Sequence, residues 1–246
     1  MSKRRRSTDL TSLRLGGISV DVVLKDIKNV HLSVYPPTGR VRISAPKRMS
    51  IDTIRMFAVS KLDWIKQQQM RVRAQERESR REYLDRESHY VWGKRHLLKV
   101  VEEDATQDVQ VRPGAILLRV RPGSSEQTRA SVMAAWYRQT LRIAAQPLIE
   151  VWEGRLRVKV QRLFVQQMRT KWGSCNTTAR SIRLNTELAK KPRECLEYVV
   201  LHELVHLIER RHDERFKQYM DRFMPHWRQF RDELNRAPLV HQEWTY

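Results

Sequence analysis

Tyr198-Val199-Val200-Leu201-His202-Glu203-Leu204-Val205-His206-Leu207-Ile208 is the stretch on which the reading of this chain turns. Two histidines four residues apart on a helix project about 40° from each other, one turn apart, so both imidazoles can reach one tetrahedral metal ion. Glu203 stands where a carboxylate can take a proton from metal-activated water. The flanking sequence predicts a helix. Pro192 suits a first helical position, Glu194 and Glu197 suit the first turns, and Arg210-Arg211 suits the close. Leu196, Val199, Val200, Leu204, Leu207 and Ile208 make that helix apolar enough to be buried. The plain alternative is two satisfied core histidines. It leaves an uncompensated Glu on an apolar helix, which is costly. A divalent cation beside Glu203 removes the cost.

A catalytic zinc takes three protein ligands and keeps a fourth position open. His212 is the leading third ligand, with Glu209 and Glu214 as alternatives. Six residues beyond His206, His212 would be rotated by about 240° on a continuing helix and would face away. The helix must therefore end between Leu207 and Arg211, and Asp213-Glu214 then opens a new helix carrying Phe216, Tyr219, Met220 and Phe223 on one side. His226, Tyr219 and Arg215 compete for the role of oxyanion stabiliser. His31, His89, His96 and His241 have no partner at ligand spacing.

A second segment runs Met168-Arg169-Thr170-Lys171-Trp172-Gly173-Ser174-Cys175 and is followed by Ile182-Arg183-Leu184-Asn185. Trp172-Gly173 suggests a buried anchor beside a backbone that needs close approach. A short strand beside a metal helix could accept an extended peptide by strand addition, which makes Trp172, Gly173 and Ser174 candidate substrate-binding residues. A structural corner is the competing account. Cys175 is a further, weaker ligand candidate.

The rest of the chain is read for organisation. Strands are expected over Leu13–Ser44, including a hairpin across residues 30–45 with its turn at Pro36-Pro37-Thr38-Gly39. Ser50 reads as an N-cap for one long basic helix from Ile51 to about Arg86. More strands are expected over Tyr90–Val101 and Asp108–Val120, then a helix from Glu126 to about Arg155 that Pro147 could kink. Val158–Gln167 and Ile182–Asn185 read as extended. No internal repeat is legible. The class is α+β, with a β-rich part over 1–122 and a second part over 123–246, unless the two form one continuous domain.

The 246 residues carry 48 Lys+Arg against 28 Asp+Glu, a net charge of +20, with 40% apolar and 31% charged residues. That apolar content supports a packed core. No run approaches about 20 apolar residues, and no apolar segment follows the basic Met1–Arg6 start, so neither a membrane span nor a secretory signal is expected. Two cysteines cannot build a disulfide framework, which suits a cytoplasmic protein. Residues 1–100 hold 23 Lys+Arg and 10 Asp+Glu. Lys3-Arg4-Arg5-Arg6 and the run Lys61–Arg86 stand out, although acids interleave the second. A polyanion partner through this basic region is one expectation, and a solvated surface is the other.

Taken in order, Trp172–Cys175, Leu184-Asn185, Tyr198–Leu207, His212–Phe216 and Met224–Arg228 resemble the YgjP-like zinc metallopeptidases. That family looks related to the SprT-like proteases, which share the Trp-Gly-Ser-Cys and His-Glu-x-x-His elements. The resemblance is specific from about residue 160 to 235. One departure is Arg211-His212-Asp213, where the family usually has Asn-His-Ser; Asp213 can cap as Ser does. The resemblance implies a zincin-like C-terminal part with a short sheet. It also implies one Zn2+ held by His202, His206 and His212, with Glu203 as catalytic carboxylate and protein or peptide as substrate. Two other readings stand beside it: a DNA-associated protease in which the basic region holds nucleic acid, and a non-enzymatic zinc-containing nucleic-acid-binding module.

Overall fold

The computed structural model describes residues 10–35, 38–74, 81–168 and 171–236. The chain divides into two compact units, one formed by residues before 81 and one by residues 81–236. Lys3–Arg6, Pro36-Pro37, Arg169-Thr170 and the C-terminal residues from 237 on lie outside the described residues.

In the first unit, strands β1 (Leu10–Leu15), β2 (Ile18–Lys25), β3 (His31–Tyr35) and β4 (Arg40–Pro46) form a sheet in the order β1-β2-β4-β3. The inner pair β2/β4 is parallel and the outer pairs are antiparallel. Alternation puts Val20, Val22, Val41 and Ile43 inside, against Ile54, Ala58 and Ile65 from the helices. Where one helix was expected from Ile51 to Arg86, the described residues form two, α1 (Ile51–Ser60) and α2 (Leu62–Ala74), and residues 75–80 of that span lie outside the described residues. The Ser60 hydroxyl donates to the Phe57 carbonyl at 2.8 Å and competes with the helical ladder where the break occurs. Residues 81–84 are irregular, and Tyr83 and Arg86 take positive φ.

The second unit opens with β5 (Ser88–Val91), β6 (Lys94–Glu102), β7 (Asp108–Arg112) and β8 (Ala115–Val120), in the order β5-β6-β8-β7 with β6/β8 parallel. This is the topology of the first sheet again. In both, a two-residue turn with positive φ joins the first hairpin (Gly16-Gly17 and Trp92-Gly93). In both, a Ser N-cap then starts a helix: Ser50 accepts from the Thr53 N–H and Ser125 from the Thr128 N–H, each at 3.2 Å. The repeat is structural, and only turn and cap residues carry it in the sequence.

Helix α3 (Glu126–Leu156) buries Met133, Tyr137, Leu141, Ala145, Ile149, Trp152 and Leu156, a row at helical spacing that binds the β5–β8 sheet and the remaining elements into one core. The sequence boundary at 122/123 therefore falls inside a compact unit whose edge lies at 80/81. Helix α3 runs through Pro147. The carbonyl that this proline leaves without a ladder partner belongs to Ile143, whose side chain is solvent-exposed, so water can satisfy it. Beyond α3, strands β9 (Arg162–Gln166), β10 (Gly173–Asn176) and β11 (Ser181–Asn185) form a sheet in the order β10-β11-β9, with β10 at its edge. A 3-10 helix (Thr186–Lys190), α4 (Arg193–Val205), α5 (Glu214–Phe223) and α6 (Trp227–Arg236) complete the unit. No helix among the described residues is long and apolar enough to cross a membrane.

Candidate metal centre

Helix α4 is buried almost all round, through Cys195, Leu196, Tyr198 to Leu201 and Glu203 to Val205. Pro192 is its N-cap, one position earlier than its sequence suggests. The helix ends at Val205, His206 is its C-cap, and Leu207 and Ile208 close the turn with N–H bonds to the Leu204 and Val205 carbonyls. The chain then reverses over residues 209–213. Asp213 caps α5 by accepting from the Phe216 N–H at 3.1 Å, the capping role anticipated for it. This reversal brings His212 back over α4.

Ligand-capable nitrogens of His202, His206 and His212 all lie within 4.8 Å of one another. The Nε2 atoms of His202 and His212 are 2.9 Å apart. Three nitrogens on a tetrahedral zinc, each at about 2.0–2.1 Å, stand roughly 3.3 Å from one another, so this donor set fits such an ion with small adjustment. His206 Nδ1 lies 3.1 Å from the Glu209 carbonyl, a contact that points its Nε2 inward and fixes the tautomer. His202 Nδ1 is buried without a hydrogen-bond partner. Burial, reinforced by His206 and His212, pushes the His202 imidazolium pKa down to about 3. Burial also lowers that of His206, against the opposing Glu209 carbonyl. Neutral imidazoles are the form that binds metal. Phe216 lies against all three rings, with centroids 4.9, 4.8 and 4.7 Å from His202, His206 and His212. This contact explains why a phenylalanine follows His212 by four residues.

Glu203 is 5% exposed and faces the same cleft. Burial pushes its carboxyl up to about 8, and Lys171 opposes the rise. A divalent cation beside it would favour the carboxylate. Strand β10 passes directly over this side chain. Three more elements carry parts of the site. Asn185 holds the segment leading into β10 by accepting from the Met168 N–H and donating to the Met168 and Lys171 carbonyls. Its own N–H reaches the Trp172 carbonyl at 2.8 Å. Asp221 accepts from Trp227 Nε1 at 2.7 Å and from Arg228 Nη1 at 2.5 Å, fixing Trp227 where it stacks on Tyr198 at 6.2 Å.

The cleft has a volume of about 420 Å³. Trp172, Gly173, Ser174 and Cys175 line one side, and His202, Glu203, His206 and His212 line the floor. Cys175 is outside the nitrogen cluster, and burial with Glu203 nearby pushes its thiol up to about 11. Glu209 and Glu214 are outside it too: Glu209 faces Arg215 at 3.9 Å and Glu214 faces Lys217 at 2.5 Å. His226, Tyr219 and Arg215 do not line the cleft, whereas Tyr198 does. Tyr198 was legible as a face-mate, since 198, 202 and 206 share one helical stripe. Burial pushes its phenol up to about 12, so it remains a donor at neutral pH. His89 is a core residue, and His31 and His226 are exposed.

Comparison with known proteins first gives the class, a metallopeptidase, for which the metal is typically zinc. The chain belongs to the YgjP-like family, described as "YgjP-like, metallopeptidase domain" and matched over residues 28–237. Two solved structures are similar in part. The metallopeptidase zymogen of Methanocaldococcus jannaschii jannalysin is 18% identical with a TM-score of 0.34, over 37% of this chain and 86% of that one. The metallopeptidase zymogen of Pyrococcus abyssi abylysin is 17% identical with a TM-score of 0.35, over 37% and 90%. No functionally curated protein matches significantly.

Proposed function

We propose that the chain hydrolyses peptide bonds with one zinc ion held by His202, His206 and His212, and with Glu203 as general base and then general acid. The observation that carries this reading is the meeting of three imidazole nitrogens within 4.8 Å at a cleft that also holds the buried Glu203. Bound zinc would supply Lewis acidity, making water acidic near neutral pH and polarising a carbonyl. Glu203 takes the proton of the attacking water and delivers it to the leaving amine. Edge strand β10 offers the substrate backbone a pairing partner, with Trp172, Gly173 and Ser174 as its contact residues.

A purely structural zinc site is closed by four protein ligands. Among the described residues the cluster has three, and Cys175 is not part of it, which favours an open catalytic position. A nucleic-acid role for the basic first 100 residues stays separate from this chemistry. Its signature would be a steep, linear loss of DNA affinity with log salt, and absence of binding at low salt would remove it.

The direct test is a peptide-library digest read by mass spectrometry. Purified protein stripped by a chelator should be inactive, and one equivalent of zinc should restore cleavage. Zinc-loaded protein that cleaves nothing in a diverse library would refute the reading.

A further inference from the structure

The charges around the cleft are one-sided. Lys171 precedes β10, Arg210 lies between His206 and His212, and Arg231 lies on α6; all three line the cleft and are exposed. Among the described residues its only acidic lining residue is the buried Glu203. Nearby cations turned elsewhere have acidic partners: Arg215 with Glu209, Lys217 with Glu214, and Arg228 with Asp221. Arg231 is partly engaged, by Asp232 at 2.9 Å. Lys171 and Arg210 have no such side-chain partner among the described residues. Clefts lined by one sign of charge focus the field and concentrate oppositely charged ligands.

We infer that Lys171, Arg210 and Arg231 make the cleft selective for peptides with acidic side chains next to the scissile bond. The inference rests on the peptidase reading above and adds a substrate class to it. Exposed cations facing the cleft cost little while solvated, and a bound carboxylate would engage them, Lys171 and Arg210 above all, as charge-assisted hydrogen-bond donors. Specificity of this kind acts mainly on encounter and register, so it should fade as salt screens it, the Debye length falling from about 10 Å at 0.1 M to about 3 Å at 1 M.

The test uses fluorescent peptide pairs that differ only by Asp/Glu against Asn/Gln beside a common bond. They are offered to the zinc-loaded full chain and to K171Q/R210Q/R231Q, with binding read by anisotropy and cleavage by chromatography. The wild type should bind and cleave the acidic member about tenfold better at low salt. The ratio should approach one in high salt and in the triple variant. Cleavage of both members at equal rates, with equal binding, overturns this inference and leaves the peptidase reading standing. Selective binding of the acidic member with no cleavage of either overturns the peptidase reading and leaves the selectivity standing. Tighter binding of a single-stranded DNA oligonucleotide than of the acidic peptide, lost in the triple variant, assigns these cations to nucleic acid and overturns the inference.

Discussion

Gly173 and Glu203 are in mutual contact: a Cβ on Gly173 would stand 2.5 Å from Glu203 Oε1 and 2.9 Å from its Cγ, with Val199 Cγ1 at 2.8 Å. The glycine of Trp-Gly-Ser-Cys is thus the gap through which the edge strand crosses the helix that holds the carboxylate. Gly173→Ala must push β10 or Glu203 aside. Overpacking of this kind costs about 1–3 kcal/mol, and a displaced catalytic group can lose about 10²-fold in rate. Urea unfolding and peptide hydrolysis measure both, with zinc content as the check that the histidines survive. An alanine variant that hydrolyses at the wild-type rate would show that the contact does not position Glu203.

Phe216 predicts a second effect. It is the apolar floor under three imidazoles, and supporting groups around a metal are commonly worth 10–100-fold in affinity. Phe216→Leu should fold but hold zinc about tenfold or more weakly, as read by competition with a chromophoric chelator. Unchanged affinity would mean that the rings are oriented by the backbone and the Glu209 carbonyl alone. His212→Ala should weaken zinc further, because His212 lies on a reversing segment and closes the triad.

His89 governs a pH effect away from the metal. It is buried beside Tyr83, with Glu87 Oε1 3.3 Å from its Nε2. Burial, followed by the positive charges of Arg81 and Lys190, pushes it down to about 3. Its unfolded pKa is about 6.5. Between those values the unfolded chain takes up a proton that the folded chain refuses. The contribution to stability is therefore present above pH 6.5 and is lost as pH falls. From pH 7 to pH 5 the loss is about 2 kcal/mol. His89→Gln should flatten that part of the pH dependence in chemical unfolding of zinc-free protein. The same slope in wild type and variant would assign the acid sensitivity to other groups.

The meeting of His202, His206 and His212 was legible in the sequence because it follows from local spacing and capping. His202 and His206 share one helix face by spacing alone, and Asp213 is a strong enough cap to predict the new helix that returns His212. The rest depended on contacts between distant segments. Nothing in Leu184-Asn185 says that Asn185 ties down the segment at Met168 and Lys171. Met224-Pro225-His226-Trp227-Arg228 does not reveal that Asp221 locks Trp227 against Tyr198. The break at Lys61 was hidden because Ile54, Ala58 and Ile65 keep helical spacing across it. The repeated sheet topology was hidden because only turns and serine caps preserve it. The boundary moved to residue 80 because β5–β8 and α3 share one core, which strand and helix patterns alone do not pair.

The central claim is that Glu203 performs the proton transfers while the three histidines hold the metal. Glu203→Gln keeps the size and hydrogen-bonding reach of the side chain and removes its basicity. Zinc-loaded wild type and E203Q should therefore be compared on the same peptide pool, with metal content measured on the same samples. The account predicts one zinc per chain in both and a loss of hydrolysis in the variant of about 10²–10⁴-fold or more. Equal zinc with wild-type hydrolysis in E203Q would contradict it.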